Sequence, residues 1–188
     1  MKFIKKNYGW IIVAILALLP LIPISNFAFI KGNNNVEMLY HISGEFAIRW
    51  MTAVLTLTPF YILFGVSNLF VRQAMGIATA LWSILHFVIF IIKEGFLETF
   101  TEINYIAGFI ATLILVPLLI TSNRKSMFRL KSNWKKLQRM AYVAIILSLL
   151  HILLLDKTWI IYAVVVGLGF IIRIPLIKNS ISSYKINK

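Results

Sequence analysis

Cysteine is absent from the chain, which excludes disulfides, iron–sulfur clusters held by thiolates, and thiol catalysis. Acidic side chains are scarce: six among 188 residues, against 19 Lys and Arg, for a formal net charge of +13. No Gly-rich fingerprint follows a strand-like run, so the chain is not expected to bind NAD(P)H itself. Linkers, low-complexity tracts and convincing internal repeats are also missing, which predicts a single domain over residues 1–188. Apolar surface, by contrast, is abundant. Hydrophobic residues make up 60% of the chain, and the mean hydropathy is +0.87. A soluble domain of this size has too little interior to hide that much apolar area, so the composition reads as a polytopic membrane protein.

A crossing helix needs about 20 apolar residues. Such runs lie near 10–30, 45–65, 74–92, 104–121, 140–155 and 159–177, predicting an all-α bundle of six transmembrane helices. The sixth reaches full length only by including Arg173, which is expected to snorkel toward the interface. The opening MKFIKKNYGW and its apolar run resemble a signal peptide. The run is too long for a signal core, however, and no small-residue cleavage site follows, so an uncleaved first span is expected. Segments before the first span and after the second and fourth carry 3, 1 and 7 Lys and Arg, and the sixth span's end and tail carry 4 counting Arg173, whereas the alternate loops hold only Lys31, Lys93 and Lys157. That asymmetry predicts cytoplasmic N and C termini in the inner or plasma membrane of a cell. Glu37, Glu45, Glu94, Glu98, Glu102 and Asp156 all fall toward the opposite side. The basic stretch NRKSMFRLKSNWKKLQR is then a topology signal that meets anionic lipid headgroups, with an acidic partner or a nucleotide as the other reading. Nucleic-acid binding is not supported.

Two histidines lie inside apolar runs, where an imidazole is costly unless its nitrogens are satisfied. His86 lies 14 residues beyond Arg72, and His151 lies 12 beyond Arg139. At the helical rise each sits roughly 18–21 Å from its basic boundary, so the two rings share one depth. Paired neutral imidazoles suit the axial positions of a six-coordinate haem iron. Sulfur ligands from cysteine are absent and no carboxylate shares their level, which disfavours zinc and hard cations. Ala144, two turns before His151, and Thr79 and Trp82, seven and four residues before His86, are expected beside a flat macrocycle. The plainer alternative is that each histidine bonds a carbonyl or Ser148 across a helix interface.

Ordered short motifs run along nearly the whole chain: LLP (18–20), HISGEFAIRW (41–50), LTLTPF (55–60), RQAMGIATALWSILH (72–86), PLLITS (117–122) and WKKLQRMAYVAIILSLLH (134–151). In order, spacing and topology they resemble the ferric-reductase-like transmembrane domain superfamily, and most closely its haem-binding subunits that serve methionine sulfoxide reduction. The resemblance implies a six-helix b-type cytochrome, a membrane electron-transfer subunit rather than a stand-alone enzyme, with His86 and His151 as axial ligands of haem b. It implies a cytoplasmic flavin reductase or the quinone pool as donor, with FMN or quinone as a candidate mobile cofactor, and an extracytoplasmic redox protein or ferric iron as acceptor. Where the family has a histidine after Trp-x-x-Leu, this chain has Gln138, and relatives with a second, inner haem have a histidine near Arg72. One haem is therefore expected. Gln138 and Arg72 become candidate flavin or quinone contacts, with a helix-terminus amide and a lipid-facing cation as the plain readings. Arg49 and His41 are candidate partners for haem propionates or quinone; an Arg49–Glu45 ion pair and a solvated interfacial histidine are the alternatives. A haem-free scaffold or small transporter retaining the bundle is the rival function.

Overall fold

The computed structural model describes residues 2–22, 35–66, 69–155 and 158–186. Lys31, Asp156, Lys157 and the last part of the first predicted span lie outside the described residues. Every regular element among those described is helical: α1 Lys2–Leu18, α2 Asn35–Phe64, α3 Leu69–Glu94, a 3₁₀ turn Leu97–Phe100, α4 Ile103–Ile120, α5 Arg124–Leu130, α6 Ser132–Gln138, α7 Ala141–Leu154, α8 Ile160–Arg173 and α9 Pro175–Ile186. Four segments are long and apolar enough to cross a membrane: Val36–Phe64, Phe70–Glu94, Ile103–Ile120 and Ser132–Leu154. A fifth would be the pair formed by α8 and the start of α9, bent by 75°; α1 adds a shorter apolar helix, Tyr8–Leu18. The chain is a multi-pass membrane protein.

Helix ends follow local chemistry. Gly65 and Gly95 take φ values of +76° and +97°, and their amides bond Tyr61 O and Ile91 O at 2.8 and 3.0 Å. Each is a left-handed cap that glycine adopts without a Cβ penalty, and they end α2 and α3. The basic stretch after α4 is two short helices, the first capped by Asn123 Oδ1 accepting from Ser126 N at 2.8 Å.

Helix α2 is the hub, packing against α3, α7, α8 and α9. One core joins Met51 and Leu55 of α2 to Leu115 and Leu118 of α4, Ala144 and Ile145 of α7, and Val166 of α8. A second seals α1 against α2 and α3 through Val13, Trp50, Ala78 and Trp82.

The sixth predicted span departs from expectation. Helix α8 stops at Arg173 because Pro175 disfavours the helical conformation in the residue before it, and Ile174 is extended at φ −58°, ψ 130°. Nor does Arg173 snorkel outward. It is half-buried, and its Nη2 donates to the Leu55 carbonyl. The guanidinium carbon lies 5.2 Å from the Tyr142 ring centre and 5.8 Å from that of Phe170. That carbonyl is free for a reason: Pro59, four residues on within α2, has no N–H to give it. Gly169 admits the Pro59 ring, since a Cβ there would stand 3.3 Å from its Cγ. A proline on one helix thus creates the acceptor that an arginine on another fills.

Candidate functional site

The four-helix side of the bundle encloses a cavity of ≈740 Å³ whose wall includes His86 and His151. His86 comes from α3 and His151 from α7; the structure brings their rings to 6.4 Å between centres, at an interplanar angle of 71°. Glycines on α2 and α4 make the room. A Cβ on Gly44 would lie 2.9 Å from His86 Cε1, and one on Gly108 would lie 3.1 Å from His151 Nδ1. The imidazoles occupy the space those side chains would have taken.

Each ring is oriented through Nδ1. His151 Nδ1 lies 2.7 Å from Asn104 O. His86 Nδ1 lies 3.1 Å from Tyr40 O and 3.1 Å from Ser43 Oγ. A carbonyl only accepts, so it fixes the proton on Nδ1 and leaves Nε2 with its lone pair. The Tyr40 ring stacks on His86, centres 4.7 Å apart and planes 19° apart.

Two rings so arranged suit metal ligation. A metal about 2 Å from one nitrogen of each ring would set the ring centres roughly 6 Å apart, close to the spacing here. Among the described residues no three His, Cys, Asp or Glu side chains converge on a metal, so other ligands would have to come from a bound group. The cavity is of the size that holds organic cofactors, roughly 300–1,000 Å³. Residues and space together fit a flat macrocycle with iron between the two imidazoles.

The other predicted site residues divide. His41 lines the cavity and pairs with Glu37 at 3.2 Å. Arg49 forms the i,i+4 pair with Glu45 and lies 5.6 Å from the Phe46 ring centre; Glu45 itself lines the cavity. Gln138 lies at the junction of α6 with α4, its Nε2 at 3.4 Å from Leu118 O and 3.3 Å from Thr121 Oγ1. Arg72 is exposed; neither it nor Gln138 is part of the cavity wall.

Three expected neighbours of a macrocycle point elsewhere. Trp82 donates to Ala17 O of α1 at 3.1 Å and stacks on Phe46 at 5.1 Å. Thr79 returns its hydroxyl to Met75 O, and Ala144 is fully buried in the main core. Thr79 and Trp82 share one face of α3 by spacing, but α1 packs on that side; Ala144 of α7 is taken up by the main core. Conversely, Ser43, Tyr40, Asn104, Gly44 and Gly108 were missed. The glycines carried only a weak signal: an isolated helical glycine can mark a packing contact, but Gly76 and Gly167 meet nothing within 4 Å.

Comparison with known proteins joins this geometry to a family. The model of the family described as "Ferric reductase like transmembrane component" matches residues 43–149. The chain belongs to this family. The match opens at Ser43, includes His86 and closes two residues before His151. The chain is similar to the "Protein-methionine-sulfoxide reductase heme-binding subunit MsrQ" of Agrobacterium fabrum, 30% identical over 170 residues, covering 84% of this chain and 77% of the relative. The proteins of the same name from Brucella ovis and Brucella suis are 31% identical over 147 residues, 72% of this chain and 67% of theirs. No solved structure matches the chain.

Proposed function

We propose that this chain is a b-type cytochrome subunit that holds one haem b between His86 and His151. It carries electrons from a cytoplasmic flavin or membrane quinol donor to an acceptor outside the cytoplasm. The observation that carries this reading is the pair of imidazoles 6.4 Å apart in one cavity, each anchored through Nδ1 to a backbone carbonyl. Anchoring of this kind orients a metal-bound histidine and raises its basicity.

Haem, when bound, supplies the one-electron couple. The rest is the work of the chain. Tyr40 O and Asn104 O hold the two Nδ1 protons, so both Nε2 lone pairs remain available as ligands. Apolar side chains such as Ile48, Phe109 and Leu115 supply part of the wall, and Glu45, Lys93 and Glu94 line the same cavity. At the acidic end of the bundle we assign propionate contact to His41, which lines the cavity, and to Arg49, which is outside its wall and would exchange its Glu45 partner for a propionate. Gln138 takes the place of a second family histidine, and an amide is a poor iron ligand, so we assign a single haem. Arg72 and Gln138 mark the basic end, where a flavin or quinone donor would approach.

The Lys and Arg asymmetry supports both termini in the cytoplasm, and six crossings follow if α1 is counted as the first and α8 with the start of α9 as the last. The relatives are named as heme-binding subunits of a protein-methionine-sulfoxide reductase. The same class of partner, an extracytoplasmic oxidoreductase acting on oxidised methionine, is our assignment for the acceptor, ahead of ferric iron.

The test is a dithionite-reduced minus oxidised visible spectrum of detergent-purified protein from haem-replete cells. A low-spin b-type spectrum near one haem per chain is expected; a folded, colourless protein would make it a scaffold or transporter. The glycines give a graded check. Gly44→Ala, the tighter contact, should weaken haem retention about tenfold, the scale of a displaced second-shell partner, and Gly108→Ala should weaken it less. Equal retention in both variants and wild type would show that the imidazoles do not need that space.

A further inference from the structure

The two histidines are held unequally, and the difference lies in one buried hydroxyl. Ser43 is fully inaccessible. Its Oγ donates to Tyr40 O at 2.9 Å, which commits its only proton. Toward His86 Nδ1, 3.1 Å away, that oxygen can act only as an acceptor. The His86 N–H is therefore forked between Ser43 Oγ and Tyr40 O, both at 3.1 Å, whereas His151 has a single short bond of 2.7 Å to Asn104 O. A hydroxyl that donates in one direction is a better acceptor in the other, because the bonds polarise each other.

We propose that Ser43 is a positioning residue that strengthens His86 as an electron donor to iron and so lowers the reduction potential of the haem. The inference rests on the haem reading above. Its physical basis is that negative ends of dipoles facing a ligand's N–H push electron density toward the metal and favour the oxidised state. Ser43 supplies a second such end at His86. Removing it leaves Tyr40 O to fix the tautomer, so the ligand stays in place while its donor strength falls.

The experiment is a potentiometric redox titration of the purified holoprotein, with haem counted by pyridine haemochrome, for wild type, Ser43→Ala and Ser83→Ala. Ser83 is a cavity-wall hydroxyl bonded to Thr79 O rather than to a ring nitrogen, so it measures the effect of wall polarity alone. Ser43→Ala is expected to retain haem and to shift the midpoint upward by clearly more than Ser83→Ala does. A midpoint that is unchanged, lowered, or shifted no more than in Ser83→Ala overturns the proposal. If Ser43→Ala does not fold, Ser43→Cys, similar in shape with a weaker acceptor, carries the same expected direction and the same overturning result. Absence of haem from wild type would instead defeat the cytochrome reading, and the haemochrome assay separates the two failures.

Discussion

Replacing either His86 or His151 with alanine should leave a folded bundle that has lost nearly all its haem. Removing a mere second-shell partner of a metal ligand costs about 10–100-fold in affinity, and removing the ligand itself should exceed that. Less than about a tenth of wild-type haem is therefore expected in each variant. Folding should survive because both rings face the cavity rather than the main core, and the carbonyls they leave lie within helices α2 and α4. The comparison is haem per chain at matched elution volume and helicity. Retention of a full low-spin complement by either variant would remove that histidine from the iron. His41→Ala is a graded contrast, since that residue lines the cavity and pairs with Glu37; it removes a propionate partner but no iron ligand, so it should lose far less haem than either histidine variant.

The second large effect concerns stability. Arg173→Met takes away the donor that satisfies Leu55 O and strands an acceptor in an apolar setting, a loss of about 1–3 kcal/mol. It should lower the thermal midpoint in detergent. Pro59→Ala supplies an N–H four residues beyond Leu55, so the α-helical bond can form without Arg173. The double variant should therefore be destabilised less than the two single effects predict together, with a coupling of about 1 kcal/mol or more. Simple additivity would mean that the arginine acts through its contacts with Tyr142 and Phe170, not through the carbonyl that the proline frees.

These two cases also mark how far the residues alone could be read. The meeting of His86 and His151 was legible, because two depths counted from basic boundaries need only the helical rise. Most spans were legible from run length for the same reason. What rotation decides was not. Thr79 and Trp82 share a side of α3 by spacing, yet that side belongs to α1, and no count along one helix reveals which neighbour occupies it. Arg173 was misplaced because its partner is a backbone carbonyl, which composition does not display; only the absence of an N–H at Pro59 betrays it. The break at Ile174 was in plain view, since Pro175 disfavours helix in the residue before it. Run length alone does not register that signal. Helix α2 begins at Asn35, ten residues before the predicted span, because hydropathy finds the part in lipid rather than the polar turns that extend beyond it.

An electron paramagnetic resonance spectrum of the oxidised wild-type protein addresses the iron itself. Two imidazoles on one iron, with ring planes near the 71° seen here, predict a strongly anisotropic low-spin ferric signal close to one spin per chain. A high-spin ferric signal, or haem-replete preparations with no iron signal at all, would contradict an iron held between His86 and His151.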